Sequence, residues 1–282
     1  MKKAILVFTK VPRVGDCKTR LTEARGGILT YEEATALYEA CLLDVIEVSL
    51  SVEGADVWIC YNKDGDRSYL DSLLDQVKNA QRIAGIFSDQ GGSFDDCMQY
   101  ATDHILKSGA ENRLADCLLI SGGDLPSLQP YILQDALNKL EKLSQSVSGQ
   151  KVAVSKVKAS DGSLIGAALV EGACQEGGFS LAGLTCTTNF TFNEVFYNKD
   201  GITALDMMAN KAGDEQIPIA FVEEVPDIDI PVDLASAMPV LRIIELAAKH
   251  DPAITVPERT INFLNEMGLQ SVALPPAARE LV

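Results

Sequence analysis

The sequence is poor in the residues on which several common catalytic sites depend. It has only two histidines, His104 and His250, and its seven cysteines are scattered without a C-x-x-C pair. Zinc sites of familiar spacing and Ser-His-Asp or Cys-His catalytic groups are therefore poorly supported, because each needs such residues at defined positions. The scattered cysteines favour free thiols in a reducing compartment.

Long hydrophobic runs are also missing. No stretch approaches the roughly 18 consecutive apolar residues of a membrane span. The apolar run at residues 4–8 is too short for the core of a signal peptide. We therefore expect a cytoplasmic protein without a membrane span.

Positive charge is scarce, since 24 Lys and Arg stand against 40 Asp and Glu, a formal net charge of −16 in 282 residues. A surface this acidic argues against nucleic-acid or anionic-membrane binding through the whole surface. Any anionic ligand would need a local basic pocket. The sequence gives no indication of the oligomeric state.

Apolar runs and helical patterns alternate over the first half of the chain. We predict strands at residues 4–8, 55–61, 82–87 and 117–120, and helices from Thr30 onward and at residues 94–106 and 129–143. The first helix begins with a capping box, Thr30 to Glu33. This alternation predicts an α/β fold with a mixed, mostly parallel sheet flanked by helices, whose first strand is central and buried.

The second half changes to an α+β character that would cover the open edge of the sheet. A linker-like patch at residues 144–150 separates the two halves. Beyond it we predict paired strands at residues 152–157 and 163–170, a helix at 202–211, a strand at 217–222, and helices at 232–248 and 257–267. We expect a main domain of residues 1–250 and a C-terminal helical extension, residues 251–282.

A basic loop follows the first strand. Between residues 10 and 25, five basic side chains face two acidic ones, a local net charge of +3 in an acidic chain. A loop of this kind, with a glycine and free backbone N–H groups, suits a di- or triphosphate, although a solvated basic loop is the alternative. The candidate phosphate-binding residues in this loop are Lys10, Arg13, Gly15, Lys18 and Arg20.

A second candidate lies in the Gly-Gly-Asp-Leu-Pro turn after the strand at residues 117–120. In open α/β sheets, ligands bind beyond the carboxyl ends of the strands, so Asp124 can reach a Mg²⁺ or Mn²⁺ that bridges nucleotide phosphates. The alternative is an Asp that closes a proline turn. Asp124 is our first candidate for a metal ligand.

Residues 8–21, FTKVPRVGDCKTRL, resemble the F-A-K-x-P-x-x-G-x-x-K-T-R-L signature of a bacterial and archaeal family of glycosyltransferase-like proteins. Further matching motifs are Gln90-Gly-Gly92, Gly123-Asp-Leu-Pro126, residues 176–183 (EGGFSLAG) and residues 227–234 (DIDIPVDL). The family has the GT-A, Rossmann-like fold of nucleotide-diphospho-sugar transferases and is related to phospholactate guanylyltransferase. The resemblance covers about residues 2–248 and implies this fold.

The resemblance also implies roles for individual residues. It assigns phosphate contacts to Lys18 and Arg20, nucleotide contacts to Gly91 and Gly92, and an acceptor-side wall to Gly177 and Gly178. Metal ligation would fall to Asp124, with Asp229 as a second carboxylate near the ion or, alternatively, a turn residue. Either Glu176 or Asp229 could act as the catalytic base, and Asp233 is expected to be the N-cap of the following helix.

Three positions depart from the family pattern. Asp16 makes the basic loop less positive, Asp95-Asp96-Cys97 stands where relatives have Gly-Glu-Arg, and Glu176 replaces an Asp. The leading hypothesis is a transferase that uses a nucleotide-sugar with Mg²⁺ or Mn²⁺ and a small-molecule acceptor. The alternatives are nucleotidyl transfer from a nucleoside triphosphate to a small phosphorylated acceptor, a non-catalytic nucleotide or sugar-phosphate binder, and a protein-interaction scaffold.

Overall fold

The computed structural model describes residues 1–271, and nine strands lie within them. They are β1 (Lys3–Thr9), β2 (Ala55–Tyr61), β3 (Ile83–Ser88), β4 (Cys117–Gly122), β5 (Val157–Lys158), β6 (Leu164–Ile165), β7 (Leu169–Ala173), β8 (Phe179–Thr185) and β9 (Ile219–Val222). Seven form one sheet in the order β3-β2-β1-β4-β8-β7-β9, and β5 pairs with β6 separately. In the large sheet only β8 runs opposite to the other described strands, so the prediction of a mixed, mostly parallel sheet is confirmed.

Eight α-helices lie in the same described part of the chain. They are α1 (Tyr31–Ser51), α2 (Arg67–Leu74), α3 (Phe94–Leu106), α4 (Pro130–Ser144), α5 (Val147–Val152), α6 (Ala204–Asp214), α7 (Pro231–Ala247) and α8 (Glu258–Glu266). Side chains of α1, α2 and α4 pack on one face of the sheet, and side chains of α3 and α6 pack on the other. The sheet is therefore the middle layer of three.

The first strand is central and buried, as predicted. β1 lies between β2 and β4, and Ile5 pairs with Val57 on one side and Leu119 on the other. Ile5 and Val7 have no exposed surface. The continuous apolar run at residues 4–8 is explained by this position, because a parallel strand covered on both faces has no polar side.

Several local predictions were wrong or incomplete. The predicted linker at residues 144–150 is the end of α4 followed by α5, whose first turn is capped by the Ser146 hydroxyl, which accepts from the Gly149 N–H at 3.0 Å. The predicted strand at residues 152–157 is reduced to the two residues of β5, because α5 extends to Val152. The predicted strand at 163–170 is divided between β6 and β7, and both α2 and β8 went unpredicted.

The C-terminal helix α8 packs against α1 through a buried carboxylate. Asp44 of α1 accepts hydrogen bonds from the Thr260 N–H at 2.9 Å and the Thr260 hydroxyl at 2.8 Å, so it caps the first turn of α8 from another helix. Arg259 forms ion pairs with Asp44 at 3.3 Å and Glu47 at 2.6 Å. The helix predicted at residues 257–267 is confirmed as α8. The division of the chain at residue 250 stays a prediction. Residues 272–282 of the predicted extension lie outside the described part of the chain.

All seven cysteines are free thiols in buried positions. Burial raises the pKa of both the Cys117 thiol in β4 and the Cys174 thiol after β7 to about 12. The thiols are therefore protonated at neutral pH. Within residues 1–271, no helix combines the length and apolar character needed to cross a membrane.

Candidate functional site

The loops with the candidate residues meet at one edge of the sheet. β1, β2, β3, β4, β7 and β9 all point in one direction, so their carboxyl ends share this edge. It is the edge at which open α/β sheets bind ligands. The segments that leave it toward the site are residues 10–20, 89–93, 123–129, 174–178 and 223–230.

The basic loop after β1 places Lys18 in an unusual backbone conformation. Lys18 has a φ of 47°, in the left-handed region that residues with a Cβ seldom adopt. The start of the loop is anchored by Tyr38 of α1, whose hydroxyl lies 2.7 Å from Thr9 Oγ1 and accepts from the Lys10 N–H at 3.3 Å. The loop therefore turns back over the sheet edge and directs the Lys18 side chain inward.

The Lys18 ammonium lies between two carboxylates. Its Nζ donates to Asp124 Oδ2 and to Asp229 Oδ1, both at 2.5 Å, and the side chain is 7% exposed. Burial by itself would lower the pKa of Lys18, but the two carboxylates together outweigh it, and the pKa lies above its ordinary value. Lys18 is therefore a charged cation at neutral pH.

Asp124 is placed by the close approach of the chain to α1. It comes two residues after β4, and Gly123 separates it from the strand. A Cβ on Gly123 would lie 2.8 Å from Leu42 Cδ1 and 3.2 Å from Thr9 Oγ1, so a side chain there would push the turn outward. The glycine thus fixes the Asp124 carboxylate at the end of a rigid strand.

Asp229 and a residue that the sequence reasoning missed, Asp227, lie in the loop between β9 and α7. Two side chains hold this loop. Gln175 accepts from the Asp227 N–H at 3.1 Å and donates to the Asp227 carbonyl at 3.1 Å. Asp233 Oδ2 accepts from the N–H groups of Asp229 at 3.0 Å and Ile230 at 2.8 Å. Capping by Asp233 is confirmed, but Ile230 is the N-cap and Asp233 is the third residue of α7.

The side chains of Asp124, Asp227 and Asp229 converge. One carboxylate oxygen from each lies within 4.8 Å of the others. Burial raises the pKa of Asp227 to about 6, and the neighbouring carboxylates of Asp124 and Asp229 add to this effect. Carboxylate oxygens are ligands that Mg²⁺ and Mn²⁺ prefer. In this structure the positive charge next to the carboxylates of Asp124 and Asp229 is the Lys18 ammonium.

The remaining candidates of the basic loop differ from Lys18 in their exposure. Arg20 is 61% exposed, and its Nη1 lies 3.7 Å from Asp229 Oδ2. Lys10, Arg13 and Gly15 are exposed, and the Arg13 guanidinium lies 3.7 Å from the Asp16 carboxylate. The structure thus brings Lys18 and Arg20 to the carboxylates and leaves the other three on the outside of the loop.

The candidates on neighbouring loops lie at the same edge but do not contact the carboxylate cluster. Gly91 and Gly92 follow β3 with φ values of 71° and 111°, and the Gly91 N–H donates to Asp89 at 2.9 Å. Glu176 is exposed with a φ of 58°, and its carboxylate has no hydrogen-bond partner in the described residues. The roles of these three residues stay predictions.

A group of aromatic rings at the same edge of the sheet also went unpredicted. Phe94 lies 5.6 Å from Phe8 and 4.5 Å from Phe196, and Phe196 lies 5.5 Å from Phe179, as measured between ring centroids. The Asp95 carboxylate holds this arrangement by accepting from the Phe196 N–H at 2.9 Å. The departure from the family pattern at Asp95-Asp96-Cys97 is therefore structural, since Asp96 caps α3 and Cys97 is buried.

The sequence did contain a signal for Asp227 but none for the contact that Gln175 makes. Asp227 stands two residues before Asp229 in the same motif, so one extended segment can present both carboxylates to the same side. Gln175 directly precedes the EGGF motif, but nothing in a sequence indicates that its amide meets a loop 52 residues away. The aromatic group likewise comes from four separate segments.

The chain has an α/β fold similar to the GT-A-like fold of nucleotide-diphospho-sugar transferases. A crystal structure from Desulfovibrio desulfuricans G20, of a protein assigned as a nucleotide-diphospho-sugar transferase, superposes with a TM-score of 0.66 at 20% sequence identity. The superposition covers 95% of this chain and 96% of that chain. This likeness concerns the fold.

The chain belongs to the family described as "Uncharacterized protein conserved in bacteria (DUF2064)", which it matches over residues 45–199, just over half of its length. The family match and the fold similarity to the Desulfovibrio protein together confirm the resemblance, although the family match itself begins beyond residues 8–21. No curated protein matches the sequence.

Two further solved structures are similar at lower scores. A cytidylyltransferase from Leptospira borgpetersenii has a TM-score of 0.45 at 12% identity, covering 98% of this chain and 99% of that chain. A 4-diphosphocytidyl-2C-methyl-D-erythritol synthase from Anaerococcus prevotii has a TM-score of 0.44 at 13% identity, covering 85% and 96%.

Proposed function

We propose that the protein is a metal-dependent transferase that takes a nucleotide-sugar and transfers the sugar to a small-molecule acceptor. The observation that carries this proposal is the meeting of Lys18 and Arg20 with the carboxylates of Asp124, Asp227 and Asp229 at the ligand-binding edge of the sheet. A diphosphate needs both cationic donors and a divalent ion, and few other ligands need the two together.

The three carboxylates would hold Mg²⁺ or Mn²⁺, which supplies Lewis-acid stabilisation of the negative charge on phosphate oxygens when it is bound. Arg20 would bind one phosphate with two parallel hydrogen bonds, and Lys18 would add a point charge. The chain thus acts mainly by positioning and by electrostatic stabilisation of the leaving diphosphate. Glu176 is the proposed base for the acceptor, because its carboxylate is exposed and has no partner among the described residues.

Nucleotidyl transfer is the second candidate, because the same groups could hold a nucleoside triphosphate. The two reactions break different bonds, between sugar and phosphate in one and within the triphosphate in the other. A screen of nucleotide-sugars and nucleoside triphosphates by thermal unfolding, with and without Mg²⁺ or Mn²⁺, separates them. A ligand at about 100 times its Kd stabilises the folded state by about 2.7 kcal/mol.

We expect metal-dependent stabilisation by a UDP- or GDP-sugar, followed in an assay by release of the nucleoside diphosphate. Stabilisation by GTP or CTP with release of pyrophosphate would support nucleotidyl transfer instead. Binding without turnover with any tested acceptor would indicate a non-catalytic binder. No stabilisation by any nucleotide would contradict the proposed class.

Arg20→Lys tests the phosphate contact separately from charge. The substitution keeps the positive charge but loses the planar fork, so we expect nucleotide binding to weaken by about 1–3 kcal/mol. Arg25→Lys, the matched control from the same segment, should bind as the parent does. Calorimetric titration with the ligand from the screen measures both. Equal affinities of Arg20→Lys and the parent would show that Arg20 does not bind the phosphate.

A further inference from the structure

Lys18 lies in the position where a divalent ion would contact the cluster. Its ammonium is within 2.5 Å of one oxygen of Asp124 and one of Asp229, and its side chain is more than nine-tenths buried. These two oxygens are strong acceptors for any cation, and in the free protein an internal cation already holds them. Asp227 completes the same cluster of oxygens.

The ammonium and a divalent ion cannot both occupy this space. Mg²⁺ binds carboxylate oxygens at about 2.0–2.1 Å, so an ion on Asp124 and Asp229 would lie within a few ångströms of Nζ. Two cations at that distance repel strongly in a partly buried site. Metal binding to these carboxylates therefore requires that Lys18 move away from at least one of them.

The more exposed side of the site is the side toward which Lys18 can move. Asp124 is 25% exposed, whereas Asp229 is 44% and Arg20 is 61% exposed, so the site opens on the side of Asp229 and Arg20. A lysine has a compact, strongly hydrated charge on a flexible four-carbon stem, so its ammonium can reach a second anion without movement of the backbone. Phosphate oxygens beside Arg20 would be such an anion.

We propose, on the basis of the nucleotide-binding function above, that Lys18 is an exchangeable counterion that excludes the bare metal ion and admits a metal–nucleotide complex. The incoming phosphates accept the Lys18 ammonium, and the released carboxylates of Asp124 and Asp229 then bind the ion. Metal and phosphate bind cooperatively as a result, and each raises the affinity of the other by the same factor.

The first test measures Mn²⁺ alone, without nucleotide, on the full chain by calorimetry and by the electron paramagnetic resonance signal of free Mn²⁺. Lys18→Met removes the counterion and should bind Mn²⁺ at least about tenfold more tightly than the parent. Lys142→Met removes the same charge from the exposed end of α4 and should bind Mn²⁺ as the parent does. Equal affinities of Lys18→Met and the parent overturn the proposal.

A second measurement needs no variant, so that it stands even where Lys18→Met does not fold. Equilibrium dialysis of the parent with Mn²⁺ should retain at least about tenfold more metal per protein when inorganic pyrophosphate is present. Retention that is the same with and without pyrophosphate overturns the counterion role while it leaves the metal-dependent function standing. If the parent retains no Mn²⁺ under either condition, the metal-dependent function fails together with the counterion proposal.

Discussion

The two halves of the sheet hold their carboxylates in different ways. In the first half, Asp124 stands two residues beyond β4, a strand of the buried centre, and Gly123 lets the turn pack closely against Leu42 of α1. In the second half, Asp227 and Asp229 lie in a loop without regular structure that depends on Gln175 and Asp233 for its position. The first half positions its carboxylate through the backbone of the sheet, and the second half positions its two carboxylates through side-chain hydrogen bonds.

This difference matters because the cluster needs both halves. A strand end is fixed by many cooperative contacts, whereas a loop held by a few hydrogen bonds can open locally at small cost. In the proposed function, the first half would therefore supply a fixed ligand, and the second half would supply ligands that can adjust to a metal or phosphate.

The largest effect should follow from changing the fixed ligand. Asp124→Asn keeps the shape of the turn but removes the charge, so we expect metal-dependent nucleotide binding to weaken by about 10²–10³-fold, which is roughly 3–4 kcal/mol. The fold should persist because Lys18 keeps its ion pair with Asp229. Calorimetry with Mn²⁺ and nucleotide measures the loss, and Asp135→Asn on α4 is the exposed control. Unchanged binding would indicate that the metal is held by the carboxylates of the second half and not by Asp124.

The next effect concerns the contact between α1 and the C-terminal helix. Asp44 accepts from Thr260 with one carboxylate oxygen and from Arg259 with the other, so the NH₂ group of Asp44→Asn faces donors of one of these two residues, and Arg259 keeps an ion pair with Glu47 alone. We expect the free energy of unfolding to fall by about 2–3 kcal/mol, since a buried charged acceptor is lost. Urea unfolding monitored by circular dichroism measures this change in the free energy of unfolding. A loss below about 0.5 kcal/mol, the usual range for a surface change, would show that α8 is only loosely attached.

Glu171 gives the second half of the sheet a pH-dependent stability. It lies in β7 with 5% exposure, and its Oε1 has no hydrogen-bond partner among the described residues. Burial raises its pKa from 4.5 to about 7. Between these values the folded state keeps a proton that the unfolded state has released, so this residue lowers stability as pH rises from about 4.5 to 7.

Glu171→Gln removes that ionisation. We expect the variant to be more stable than the parent by on the order of 2 kcal/mol at pH 8 and nearly equal to it at pH 4.5. Urea unfolding of both proteins at the two pH values is the measurement. A difference between variant and parent that does not change with pH would mean that Glu171 titrates normally.

The smallest effect should come from loosening the loop of the second half. Gln175→Ala removes the side chain that holds Asp227 by two hydrogen bonds, so the cluster stays chemically complete but less ordered. We expect about tenfold weaker metal-dependent binding, roughly 1.4 kcal/mol, with Asp227 still present. Gln134→Ala on α4 serves as the control. If the Gln175 variant binds as weakly as Asp124→Asn, the second half is no more adjustable than the first.

The same contrast explains which features could be predicted from the sequence. The run at residues 4–8 is apolar throughout because β1 is covered on both faces. A continuous apolar run of this kind therefore predicts a strand that is buried on both faces. β8 gave no such signal. Its small residues reflect close packing by neighbours from elsewhere in the chain, since a Cβ on Gly183 would lie 2.9 Å from Leu140 Cδ1. Helix α5 was missed for a related reason, because Gly149 is required where Leu143 and Ala167 approach it.

The site was predictable to a similar degree. Lys18, Arg20, Asp124 and Asp229 belong to contiguous motifs and were candidates from the sequence. Their ion pairs were not predictable, because Lys18 and Asp229 are 211 residues apart and meet only through the order of the strands. Sequence motifs indicate which groups matter, and the topology decides which of them neutralise one another.

The buried thiols give this protein a set of native reporters of local opening. A thiol with a pKa of about 12 reacts with a labelling reagent only when its surroundings open and water reaches it. Cys117 lies in the central strand β4, while Cys174 lies beside the Asp227 N–H at 3.4 Å. The ratio of their labelling rates therefore compares the opening of the carboxylate loop with that of the sheet, and a bound metal–nucleotide complex should slow Cys174 far more than Cys117.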